Sequence, residues 1–157
     1  MKKLFITAVT AITLSVTAFA ADRVTSVATG EENITYAALS HFNADFRSAT
    51  NPAWTVTANC QKVVFTLDGA KLTAFYNFEG EYLGSTQDVA YSTIPATAQK
   101  KIATDYAGYT PGQVIKYENF DTDAAEPAYF VELKKDKTTI LVKVTPEGYV
   151  SFFKKVK

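Results

Sequence analysis

Residues 71–85, KLTAFYNFEGEYLGS, are echoed at residues 138–152, TTILVKVTPEGYVSF. In each, a run of strand formers reaches a Glu-Gly turn and resumes as a second strand near a tyrosine. The echo extends upstream. Moved back by 60 positions, Ala98, Ile102, Asp105 and Tyr106 fall on Ala38, Phe42, Asp45 and Phe46, and Val114 falls on Trp54. Glu147-Gly148 falls on Glu79-Gly80 after a shift of 68, the extra eight residues being absorbed where DTDAAEP lengthens a hairpin. One helix register and one turn carried through both halves predict a tandem repeat of two α-β-β-β-β units, residues 34–91 and 92–157.

The hydrophobic period supports the same units. Ala38, Leu39, Phe42, Phe46 and Ala49 lie on one helical stripe, with Asn33 or Thr35 as the cap and Asn51-Pro52 as the stop. The period then drops to two through AWTVTAN, KVVFTL, KLTAFYNF and EYLGSTQDVAY, runs rich in β-branched and aromatic residues. Asp68-Gly69 is a type I′ hairpin signal, and Glu79-Gly80 gives the next reversal. A second helix follows, with Ser92 or Thr93 as cap, Pro95 in its first turn, Ile94, Ala98, Ile102 and Tyr106 on its stripe, and Gly108 past its end. The runs QVIKYENFD, AYFVELKK, TTILVKVT and YVSFFKKV close the chain as strands. The expected class is α+β, with an antiparallel sheet carrying helices on one face.

Strand alternation separates an apolar row from a mixed one. Tyr129, Val131 and Leu133 oppose Phe130, Glu132 and Lys134, while Ile140, Val142 and Val144 oppose Thr139, Leu141 and Lys143. The apolar rows predict the core. Phe75, Tyr117, Phe130 and Leu141 on the mixed side carry more apolar surface than a solvated face needs, so they mark a candidate partner-binding face. Trp54, the sole tryptophan, reads as a core wedge where the first strand begins.

The N-terminus predicts the compartment. Lys2 and Lys3 precede a short apolar stretch, and Ala18-Phe19-Ala20 offers a signal-peptidase site, so residues 1–20 read as a cleavable signal peptide. No cysteine lies near the cut, which argues against a lipoprotein. Residues 21–33 read as a flexible arm before a single domain over 34–157. No later stretch approaches the ~20 apolar residues of a membrane helix. The leader removes two of the 16 basic residues and none of the 16 acidic ones, leaving a slightly acidic chain with scattered lysines. Nucleic acid is therefore excluded as a partner, because that affinity rests on clustered cations.

Recognisable chemistry is sparse. His41 is the only histidine and has Asp45 one turn away, short of the three or four ligands that zinc needs. Cys60 is the only cysteine, so no intrachain disulfide can form, and its place at a hairpin tip gives no reason for a reactive thiol. There is no nucleophile elbow, phosphate-cradling loop or dinucleotide fingerprint. Asp121, Asp123 and Glu126 lack EF-hand spacing. No catalytic, metal or cofactor residue is assigned, and the chain does not read as an enzyme.

Phe46, Trp54, Asp68-Gly69, Phe75-Tyr76, Ile94-Pro95 and Tyr106, within ALSHFNADFRSATNPAWTV, VVFTLDGAKLTAFYNFEGEYL and VAYSTIPATAQKKIATDYAGY, resemble the exported PepSY-like proteins. These are also described as β-lactamase-inhibitor-protein-like and are common in Bacteroidota. The resemblance spans nearly all of the chain after the leader. It implies two similar α/β units forming a curved antiparallel sheet. In the namesake inhibitor the concave sheet docks on a β-lactamase and turns enter its active site. The expected function is a non-catalytic, exported, periplasmic protein-binding module that uses a sheet face and turns. The alternatives are an inhibitor or regulator of a secreted hydrolase, of peptidase or β-lactamase type, and a small-ligand or metal-binding periplasmic protein. No cofactor is expected.

Overall fold

The computed structural model describes residues 28–119 and 127–156. The expected signal peptide (1–20), residues 21–27 of the expected arm and the carboxylates Asp121, Asp123 and Glu126 lie outside them. Two compact units divide the chain, the first ending at Leu83 and the second beginning at Gly84. Strands follow one another in chain order, and every described pairing is antiparallel. Among the described residues no helix is long and apolar enough to cross a membrane.

In the first unit, Ala28–Thr29 (β1) pairs with the end of Thr50–Val56 (β2), and Glu31–Asn33 forms a 3-10 turn. The expected arm is thus anchored from residue 28 onward. Tyr36–Asp45 is helix α1, capped by Thr35, whose hydroxyl accepts from the Ala38 amide at 3.3 Å. The helix ends at Phe46, well before Asn51-Pro52. That dipeptide instead occupies a register shift in β2 between Thr50 and Ala53, where Asn51 takes φ +53°. Proline cannot donate to a ladder and is tolerated at such a bulge. Gln61–Leu67 (β3) and Ala70–Tyr76 (β4) form the hairpin expected at Asp68-Gly69, both turn residues having positive φ. Tyr82–Val89 (β5) starts in this unit and continues in the second. The division therefore falls inside a strand.

The first core is aromatic. Phe42, Phe46, Trp54, Phe65, Tyr76 and Tyr82 are buried together with Ala38, Val63 and Ala74. Phe42 meets Trp54 and Phe65 edge-on, at centroid separations of 5.4 and 5.1 Å. Each such pair adds about 0.5–1.5 kcal/mol beyond area burial. Buried Gln61 secures one end of this core. Its Oε1 accepts from the Thr35 amide at 2.7 Å, and its Nε2 donates to the Thr35 hydroxyl at 3.0 Å and to the Asn77 carbonyl at 2.7 Å.

The second unit holds a 3-10 turn (Tyr91–Thr93), helix α2 (Ala96–Asp105), Thr110–Glu118 (β6), Ala128–Lys135 (β7), Thr138–Val144 (β8) and Val150–Val156 (β9). Ser92 and Thr93 belong to the 3-10 turn. The N-cap is Pro95, with no side-chain capping bond. The core is aliphatic: Ile94, Ile102, Val114, Val131, Leu133, Ile140, Val142 and Val144 surround Ala98. A register shift between Pro111 and Val114 sits at the same place in β6 as the one in β2.

Candidate functional site

The four residues expected on an exposed sheet face are mostly not exposed. Phe75, Tyr117 and Phe130 are buried and Leu141 is half-buried. The physical reason is local packing. The Tyr117 ring lies over Gly84, where an added Cβ would stand 2.5 Å from the ring. Phe130 meets Phe153 with ring centroids 4.9 Å apart. Leu141 is paired with Lys154, whose ammonium is held below its usual range by burial. As a solvent-facing surface, that expectation is corrected. Leu141 alone of the four keeps appreciable access to solvent.

The exposed large apolar side chains lie elsewhere. Tyr36 (85 % exposed), Phe78 (45 %), Tyr149 (74 %) and Phe152 (60 %) sit at or next to hairpin turns and the start of α1. In the first unit the turn 77–81 closes through Asn77 N to Glu81 O (3.0 Å) and Gly80 N to Asn77 O (3.1 Å). In the second, Thr145 N to Tyr149 O (3.0 Å) and Gly148 N to Thr145 O (2.9 Å) repeat the pattern. Each turn presses its glycine on a helix. A Cβ at Gly80 would overlap Ala37, and one at Gly148 would overlap the Thr97 hydroxyl. Both glycines have positive φ, +87° and +92°. The turns are therefore held at fixed positions, with Phe78 and Tyr149 projecting beside them. Side-chain clasps differ: Asn77 and Glu81 exchange two hydrogen bonds, whereas in the second turn the neighbouring Thr145 holds the Glu147 carboxyl below its usual range.

A second feature lies in the second unit. An open groove of about 500 Å³ runs along α2 between the 3-10 turn and the start of β6. Gln99, Ala103 and Tyr106 recur at helical spacing and line it beside the buried stripe of Ala98 and Ile102. Tyr91, Lys100 and Tyr109 also line it. Tyr106 and Tyr109 stand 6.2 Å apart with ring planes at 88°, fixed by a hydrogen bond from the Tyr109 amide to the Tyr106 carbonyl at 3.0 Å. The Lys135 ammonium is 5.8 Å from the Tyr109 ring centroid. Burial raises the Tyr91 phenol above its ordinary value. Tyr106 was legible as a helix-stripe residue. Tyr91 and Tyr109 carried no periodic signal, though tyrosines flanking both ends of a helix could have drawn attention.

His41 is exposed, and its Nδ1 donates to the Gly80 carbonyl at 2.7 Å, tying α1 to the first turn. Cys60 is buried at the β2–β3 turn, its thiol 3.5 Å from the Thr57 hydroxyl. Among the described residues, no three His, Cys, Asp or Glu side chains come together as a metal site.

No family model and no curated protein match the chain. Its fold does match solved structures from Bacteroides. A BLIP-like protein from Bacteroides fragilis NCTC 9343 superposes with TM-score 0.67 at 12 % identity, covering 78 % of this chain and 86 % of that one. A DUF2874 family protein from Bacteroides ovatus ATCC 8483 gives 0.65 at 16 % identity, covering 76 % and 88 %. A protein provisionally assigned to the periplasm, from Bacteroides eggerthii DSM 20697, gives 0.65 at 13 %, covering 77 % and 88 %. At these identities the likeness is one of fold. It bears out the antiparallel α+β, BLIP-like architecture.

Proposed function

We propose that the chain is a non-catalytic, exported module that binds another exported protein through its turns. The observation that carries this reading is the placement of the exposed aromatics. Phe78 in the first unit and Tyr149 in the second stand at turns that are braced on helices, and Tyr36 and Phe152 are further exposed aromatics, one in each unit. Aromatic side chains on rigid backbone are favoured anchors, because little conformational freedom is lost when they are covered. Leu141 can contribute at the margin of such a contact. The BLIP-like and periplasmic descriptions of the structural neighbours agree with this reading. The parallel order of elements, the matching bulges and the matching turns also support a tandem α-β-β-β-β duplication.

Affinity capture from the native exported fraction, followed by mass spectrometry, tests the reading. Protein carrying Phe78→Ser and Tyr149→Ser should lose partners that the unaltered protein retains. If the captured set is unchanged by both substitutions, the turns are not the docking surface. A narrower version, supported by the projection of Phe78 and Tyr149, is inhibition of a secreted hydrolase of peptidase or β-lactamase type. Titrating the protein against such enzymes decides it, absence of inhibition at high micromolar protein counting against that version alone.

A further inference from the structure

We infer that the groove along α2 is a binding site for a small acidic ring compound, one with an apolar ring face and a carboxylate. It shares no residue with the turns proposed to dock a protein, so the two readings stand or fall separately.

The walls define the ring. Three tyrosines from three different segments converge on one open groove: Tyr91 from the 3-10 turn, Tyr106 from α2 and Tyr109 from the loop beyond it. Aromatic walls with a few polar groups are the usual make-up of small-ligand sites, and about 500 Å³ lies within their range. The near-perpendicular Tyr106 and Tyr109 rings form a corner. A ring stacked on one of them presents its edge to the other, the arrangement that aromatic pairs favour. Phenol hydroxyls and the Gln99 amide oxygen supply hydrogen bonds for ring substituents, the Gln99 amide nitrogen being held by the Ile94 carbonyl at 3.0 Å.

Charge defines the substituent. Lys100 is on the lining and Lys135 stands against Tyr109, while no Asp or Glu lines the groove. The nearby carboxylate of Asp105 is already engaged by Lys101 at 2.6 Å. The field in the groove is therefore positive and suits an anion. A bare phosphate would leave the three rings unused, and the lining offers no arginine fork for it. A ring bearing a carboxylate uses both features.

The first unit provides an internal contrast. Sixty positions upstream, the three tyrosines become Glu31, Phe46 and Ala49, and Lys100 becomes Ser40. Phe46 is buried in the aromatic core, and Glu31 brings the opposite charge. What distinguishes the second unit here is thus a set of substitutions that the shared element order does not require.

Two sources offer this chemistry, uronic-acid sugars and aromatic acids. Calorimetric and NMR titration of the purified protein with D-galacturonate, phenylacetate and neutral D-galactose separates them. Saturable binding of one or both acids is expected, with shifts confined to residues 91–111 and the Lys135 region. Galactose should bind roughly tenfold more weakly or not at all. Lys100→Gln, on an exposed helix position, should weaken acid binding by about tenfold while leaving the thermal midpoint unchanged. Tyr109→Ala should abolish binding. The inference is overturned if neither acid binds at millimolar concentration. Equal affinity for galactose, indifference to Lys100→Gln, or binding of inorganic phosphate in place of both acids would overturn it as well.

Discussion

The two units build the same order of elements around different chemistry. The first fills its interior with rings, the second with branched aliphatic chains. Under the proposed duplication the counterparts are Phe42 and Ile102, Trp54 and Val114, Phe65 and Leu133, Tyr76 and Val144. Where the first unit has large rings on some strands it has Ala74 on another, and the second places Val142 there. That gain recovers only part of the volume given up at the ring positions, so what the two interiors share is the apolar pattern rather than the residue sizes. The fold depends on which positions point inward, and much less on which apolar residue stands there.

Core truncation should give the largest effect. Phe65→Ala is expected to cost about 4 kcal/mol and its counterpart Leu133→Ala about 3 kcal/mol, measured by urea denaturation followed by circular dichroism. If either costs under about 1 kcal/mol, the pairing of the two cores as equivalents is broken. Next come the turn glycines. Gly80→Ala should cost about 3 kcal/mol, because the new Cβ lands 2.8 Å from α1 backbone atoms as well as requiring positive φ. Gly148→Ala should cost about 2 kcal/mol, since the first obstacle is the Thr97 hydroxyl and the α2 backbone is 3.5 Å away. Thr97→Ala should relieve part of the second penalty, and Ala37→Gly should do less for the first.

The helix starts give a sharper contrast. Thr35 has an amide that buried Gln61 must accept, whereas its counterpart Pro95 has none and Tyr129 stands in place of Gln61. Gln61→Leu should cost about 2 kcal/mol through unpaired buried groups. Thr35 already has φ −66°, so proline fits there. Thr35→Pro combined with Gln61→Leu should cost about 1 kcal/mol less than the sum of the two, and simple additivity would show that Gln61 does not serve that amide.

Alkaline pH separates a smaller contribution. Burial first, offset in part by a hydrogen bond with Asn119, raises the Tyr117 phenol above its ordinary value of 10.0. The folded state therefore prefers the neutral phenol. Its contribution is complete below the unfolded value and is lost as pH rises through the higher folded one. Tyr117→Phe should flatten the fall in stability above about pH 10, seen in thermal midpoints across that window. At the bottom of the scale, Lys101→Ala should leave the midpoint unchanged, because the Lys101–Asp105 pair is a solvated ion pair on a helix surface.

The sequence made the element order legible because period and turn chemistry are local properties. The helix stripes, all eight main strands and the Asp68-Gly69 hairpin follow from residues a few positions apart. The bulges at Thr50/Ala53 and Pro111/Val114 did not, since a register shift is decided jointly with the partner strand. Alternation said which side Phe75, Tyr117 and Phe130 point to, and left open what covers that side. The tyrosine groove was hidden for a related reason. Its walls come from a turn, a helix and a loop, with no common period to betray them.

The strand order has one more consequence, for how the chain acquires its structure. In the β3–β4, β7–β8 and β8–β9 hairpins each strand finds its partner in the next one along after a turn of a few residues. Closing such short loops is entropically cheap and fast. A polypeptide that emerges N-terminal end first can then zip up these hairpins strand by strand. Each newly delivered strand covers the exposed edge left by the last, which shortens the time an unpaired edge is open to aggregation.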